Sequence, residues 1–150
     1  MNNAILKNLR LGLAVSLCAV VLAGCSGSSD SGSSLDMNGT WVIYPHSTST
    51  AVVFNNFRAT LTQSRSSVSS TNVVAESPPG AYPCASGPIT ITGSVAGNTF
   101  NGIMRRNTYQ ASFSVSGTSS SLSGTFTINY TSGPCASAGT VVGNATMTRV

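Results

Sequence analysis

From about residue 39 to its end the chain alternates. Tyr109, Ala111, Phe113 and Val115 are separated by Gln110, Ser112, Ser114 and Ser116, and Leu122, Gly124, Phe126, Ile128 and Tyr130 by Ser123, Thr125, Thr127 and Asn129. The same period of two runs through Phe57, Ala59 and Leu61, through Ile89, Ile91 and Val95, and through Val141, Gly143, Ala145 and Met147. Successive side chains of a strand point to opposite faces, so this pattern predicts half-buried strands with hydroxyl side chains on the wet side. No segment after the N-terminal stretch has a helical stripe.

The runs predict eight strands: about Gly39 to Tyr44, Ala51 to Gln63, Ser66 to Ala75, Pro88 to Val95, Thr99 to Arg106, Thr108 to Gly117, Ser121 to Tyr130 and Gly139 to Arg149. Ala96-Gly97-Asn98 and Gly117-Thr118-Ser119-Ser120 read as hairpin turns. Short connections favour antiparallel neighbours, and eight meandering strands remove their exposed edges by closing on themselves. The expected fold is therefore all-β, an eight-stranded antiparallel up-and-down barrel spanning residues 37–150. Gly93, Gly124 and Gly143 fall at inward positions, where closure demands sharp bends. A two-sheet sandwich produces similar alternation and is the competing expectation.

The N-terminal 24 residues follow a different logic. Lys7 and Arg10 precede an apolar stretch from Leu11 to Ala23, too short to span a bilayer comfortably, and small residues follow, which is the layout of a cleaved secretory signal. Leu22-Ala23-Gly24-Cys25 resembles the lipobox of bacterial lipoproteins, which implies a diacylglycerol on the Cys25 sulfur and Cys25 as the new N-terminus. Two or three acyl chains exceed what stable membrane attachment requires, at about 0.8 kcal/mol per buried methylene. Residues 25–36, mostly serine and glycine, then read as a flexible tether. Ser26 beside the cysteine implies, by the same resemblance, the periplasmic face of the outer membrane.

Cleavage changes the charge picture. The whole chain carries a formal +4, but without Lys7 and Arg10 five arginines face Asp30, Asp36 and Glu76, a formal charge of +2. Arg58, Arg65, Arg105, Arg106 and Arg149 are scattered through the sequence, which gives nucleic-acid binding little electrostatic support.

Cys84 and Cys135 lie in matching Pro-Cys-Ala-Ser segments, in the third and seventh connections. Odd-numbered connections of an up-and-down barrel share one rim, so a Cys84–Cys135 disulfide is expected there in an exported protein. Two cysteines and the distant His46 do not supply a structural zinc site, and their separation does not suit a redox pair.

Catalytic chemistry is poorly provided for. His46 is the single histidine, Asp30 and Asp36 belong to the tether, and Glu76 is left without a second carboxylate for a glycosidase pair. No Gly-x-Ser-x-Gly elbow and no phosphate-binding glycine loop occurs. A non-enzymatic protein without cofactor or metal is expected.

Gly39-Thr40-Trp41 resembles the glycine-x-tryptophan signature that opens the barrels of the lipocalin and avidin group, the calycins. The resemblance implies that Trp41 plugs the closed end and packs on a basic side chain of the last strand, here Arg149. The chain lacks the helix that follows lipocalin barrels and the several tryptophans with which avidins enclose biotin. An ordinary core aromatic is the alternative reading of Trp41.

Two functions follow as expectations. One is the binding of a small apolar or amphipathic ligand inside the barrel, with Tyr44, His46, Phe54 and Tyr82 near the mouth. The other is a protein-interaction module of the cell envelope, similar in size and anchor to lipoproteins that inhibit lysozyme. A hollow interior favours the first and a solid one the second.

Overall fold

The computed structural model describes residues 34–48, 54–76 and 87–150. Eight strands form a closed barrel in sequential order: β1 Gly39–Ser47, β2 Phe57–Ser64, β3 Ser67–Ala75, β4 Thr90–Ala96, β5 Thr99–Arg106, β6 Tyr109–Gly117, β7 Ser121–Tyr130 and β8 Thr140–Arg149. All neighbours are antiparallel, and β1 closes on β8 from Trp41↔Arg149 to Ser47↔Gly143. The barrel, and not the sandwich, is the architecture, and its antiparallel sequential strand order is compatible with a calycin-like fold.

Alternation decides the interior. Trp41, Leu61, Phe100, Met104, Val115, Leu122, Phe126 and Met147 are all at most 2% exposed and pack into one core. Inward glycines mark the places where even a methyl group collides with the wall. A Cβ on Gly124 would lie 2.0 Å from the Ser114 carbonyl oxygen, and one on Gly143 would lie 2.1 Å from that of His46. Phe126 fills the space the second of these leaves, its ring 2.6 Å from the same Cβ position.

Strand β1 outruns its sequence expectation, continuing through Pro45 and His46 to Ser47. Backbone bonds from Val150 N–H to Thr40 and from Thr48 N–H to Val142 fix the phase of the β1–β8 ladder. In that phase residue 45 turns its nitrogen toward β2, where pairing has already ended at Ile43↔Phe57. Proline therefore removes no ladder bond, and the strand tolerates it. Residues 51–53 of the expected second strand lie outside the described residues.

One end of the barrel is sealed by the segment just before β1. Leu35 and Met37 are buried at 2% and 0% exposure. Leu35 N–H donates to the Gly97 carbonyl at 3.1 Å, Asp36 N–H to Ser119 Oγ at 3.3 Å, and Met37 N–H to Gln63 Oε1 at 2.7 Å. The plug thus reaches the three short turns at this end. Leu35 and Asp36, placed in the tether by composition, belong to the domain because Leu35 is the first large apolar side chain after the Ser/Gly run and has a core to enter.

The seam between β3 and β4 is short. It pairs Ser67↔Ser94, Val68↔Gly93 and Ser69↔Thr92, after which Ile91 N–H turns to the Ser70 hydroxyl at 2.8 Å. The β2–β3 register shifts between Thr60 and Leu61, where Thr71 is the extra residue on β3. Such a bulge bends its strand and interrupts the ladder. Val68 is the one fully buried residue of β3, and Val74 is half exposed.

Candidate functional site

The two ends are chemically distinct. At the sealed end Trp41 is fully buried and its indole Nε1–H donates to the Met37 carbonyl at 3.0 Å. Arg149, its register partner, lays its guanidinium carbon 5.2 Å from the indole centroid. The same guanidinium donates from Nη2 to the Asp36 carbonyl at 2.8 Å, to the Asp36 carboxylate at 3.1 Å, and to the Asn38 carbonyl. The expected Trp41–Arg149 pair is present and is tied to the plug. Hydrogen bonds from the Asn38 backbone and side-chain amides, with a further contribution from Arg149, hold the Asp36 carboxyl below the ordinary carboxylate range.

At the other end, where β2, β4, β6 and β8 begin, Phe54 and Tyr130 are half-buried above buried apolar side chains. Pro45, Phe54, Phe57, Tyr109, Ile128 and Tyr130 surround a cavity of about 30 Å³. That is room for no more than about two or three water molecules. Beneath it Met104, Ala111 and Phe113 close off the interior. Phe54 meets Phe126 edge-on at 5.2 Å, and Tyr109 meets Tyr130 edge-on at 5.8 Å. Tyr109 O–H points to Met104 Sδ at 3.8 Å, a weak acceptor. Burial pushes the Tyr109 phenol pKa up, with Arg106 opposing the shift.

Of the expected ligand-contacting residues, Phe54 lines this mouth. Tyr44 and His46 do not: with β1 continuing as a strand, their even positions face outward, opposite to Trp41, Ile43 and Pro45, and both side chains are exposed. Tyr82, Cys84 and Cys25 lie outside the described residues. Cys135 sits in the β7–β8 connection, half-buried and disulfide-bonded, just before a single 3-10 turn at Ala136–Ala138.

The mouth also contains residues that were expected inside but not assigned to a site. Tyr109 opens β6 and Tyr130 closes β7, so inward parity combined with position at the odd-connection rim would have selected both.

Glu76 is engaged by the Arg58 guanidinium at the same rim. Among the described residues no group of three His, Cys, Asp or Glu side chains is placed to hold a metal ion. The chain matches no protein-family model, no curated protein and no solved structure.

Proposed function

We propose that this protein is a lipid-anchored, non-enzymatic binding module of a bacterial cell envelope, whose barrel mouth receives one apolar or amphipathic group. The observation that carries this reading is the pairing of a filled barrel with an aromatic-lined, partly uncovered end. Ligand pockets that enclose a whole small molecule measure about 300–1,000 Å³. A cavity of about 30 Å³ suits instead the end of an acyl chain, or an aromatic ring that displaces a side chain such as Phe54.

The anchor in this reading rests on Leu22-Ala23-Gly24-Cys25 and its basic, apolar leader, and the outer-membrane address on Ser26. Kinship with the calycin barrels rests on Gly39-Thr40-Trp41 and the stacked Arg149. A Cys84–Cys135 bond bracing the mouth rests on the matched Pro-Cys-Ala-Ser segments and on the bonded state of Cys135.

Leu35 and Met37 lie at the sealed end, so in this reading an anchored barrel presents its mouth away from the membrane. Because the interior is filled, a second reading has support: the group received at the mouth is a side chain of an envelope partner protein, as in a lysozyme-inhibitor-like module.

Organic extraction and mass spectrometry of purified, lipid-free protein, combined with titration by an anilinonaphthalene dye, test the first reading. Dye binding that is enhanced in Phe54→Ala and weakened in Phe54→Arg supports an apolar mouth. Absence of dye binding in all three proteins contradicts it, and inhibition of lysozyme by dye-negative protein moves the function to the partner surface.

A further inference from the structure

The outer wall of the barrel is dented where a barrel wall is ordinarily convex. Between β4 and β7 a surface groove of about 520 Å³ crosses four strands, a span of roughly 15 Å at about 4.8 Å per strand. Its cause is in the core. Gly93 and Gly102 face each other across the β4–β5 ladder at inward positions. A Cβ on Gly93 would stand 2.3 Å from the Asn101 carbonyl oxygen and 2.6 Å from the Phe100 ring, and one on Gly102 would stand 2.6 Å from the same ring. Without those two methyl groups the wall settles onto Phe100, and the outside becomes concave.

The groove is lined by uncharged polar side chains. Thr92, Ser94, Asn101, Ser114, Thr125 and Thr127 stand in two rows across the strands, set by the pairs Ser94↔Asn101, Asn101↔Ser114 and Ser114↔Thr125, and one step along by Thr92↔Ile103 and Ser112↔Thr127. None is charged. Ser114 Oγ–H donates to Asn101 Oδ1 at 2.9 Å, which orients the Asn101 amide and leaves its N–H donors free. The hydroxyls of Thr92, Ser94, Thr125 and Thr127 make no hydrogen bond among the described residues, and Ile103 offers a half-buried apolar patch beside them.

We propose that this groove binds a neutral glycan chain. The lining offers both donors and acceptors at close spacing with no net charge, which matches a ligand whose own surface is hydroxyl and amide groups. A charged polymer would meet no counter-charge there, and an apolar segment would leave the hydroxyls dehydrated and unpaired. The volume lies within the range of small-molecule sites. Threonine methyls and Ile103 provide the apolar contact that a sugar ring or an acetamido methyl requires. This site is distinct from the barrel mouth and independent of what the mouth binds.

The test is amide chemical-shift mapping on the full chain in a phosphocholine detergent, whose headgroup has no sugar to compete. The probes are β-1,4-linked tetramers of N-acetylglucosamine and of glucose. The proposal predicts saturable shifts at Ser94, Asn101, Ser114 and Thr125 with at least one probe, and none at Tyr109 or Tyr130. Ser112→Arg combined with Thr125→Arg fills the groove from the solvent side without touching the core, and it should weaken binding by about tenfold or more while leaving the melting profile unchanged. Thr125→Val, which keeps shape and loses one hydroxyl, should weaken it by about three- to tenfold. Shifts that are absent with both probes, that map to the mouth, or that persist in the double arginine variant overturn the proposal.

Discussion

The sealed end and the mouth are built from the same kind of strand, yet they finish their side chains differently. At the sealed end Leu35 and Met37 drop into the core, the indole N–H has an acceptor, and Arg149 covers the indole while binding the plug through Nη2, although its buried Nε has no partner among the described residues. At the mouth, Phe54 and Tyr130 are half-buried, the β3–β4 seam has already parted, and the buried Tyr109 phenol is directed at the Met104 thioether with Arg106 beside it. Binding sites are drawn from regions of low local stability. The contrast places the more fully covered end next to Leu35 and Met37, and under the proposed function the opposite end is the one that recognises a ligand.

Breaking the sealed end should do the most damage. Trp41→Ala removes a fully buried indole and its hydrogen bond and should cost about 3–5 kcal/mol in denaturant unfolding, enough to leave much of the chain unfolded. Arg149→Ala loses the cation–aromatic contact and the bonds to the Asp36 and Asn38 carbonyls, for a cost of about 1–3 kcal/mol. Arg149→Lys should recover part of this, since an ammonium stacks and donates but cannot fork between the carbonyls. At the mouth, Phe54→Ala should cost only about 1 kcal/mol because Phe54 is half-buried in the folded protein.

The smallest effects are those of pH, and they separate the ends by sign. The Asp36 carboxyl is held below its ordinary range in the folded chain, so its stabilisation is complete above that range and fades as pH falls through the lowered value. Asp36→Asn should remove this acid-side slope. The Tyr109 phenol is held neutral by burial, so unfolded chains release its proton first and stability falls as pH rises past the ordinary phenol range. Tyr109→Phe should flatten the alkaline side alone. Both are read from melting temperature across pH.

Strand existence, facing and order were legible because the solvent side of nearly every strand is serine or threonine, leaving little doubt about which residues turn inward. Pro45 was misleading: a residue that usually ends strands is accommodated where β1 has only one partner. That extension carries the strand parity on to His46, which faces outward with Tyr44. The plug was hidden because Leu35 stands at the border of a Ser/Gly run, with only Met37 to suggest an apolar pair. The thin β3–β4 seam has its trace in Ser66 to Asn72, where Val68 alone is apolar. Nothing in the sequence marks Arg65, which takes a positive φ of 56° in the two-residue turn between β2 and β3. The dent on the outer wall depends on Gly93 and Gly102 facing each other, which becomes visible only once the register is known.

The most direct test of a shallow mouth above a filled barrel is the affinity of lipid-free protein for straight-chain carboxylates of increasing length. The account predicts that affinity rises over the first few methylenes, at about 0.8 kcal/mol each, and then stays level as the rest of the chain remains in water. An increase that continues at that rate to long chains would contradict it, because only a hollow barrel can bury them.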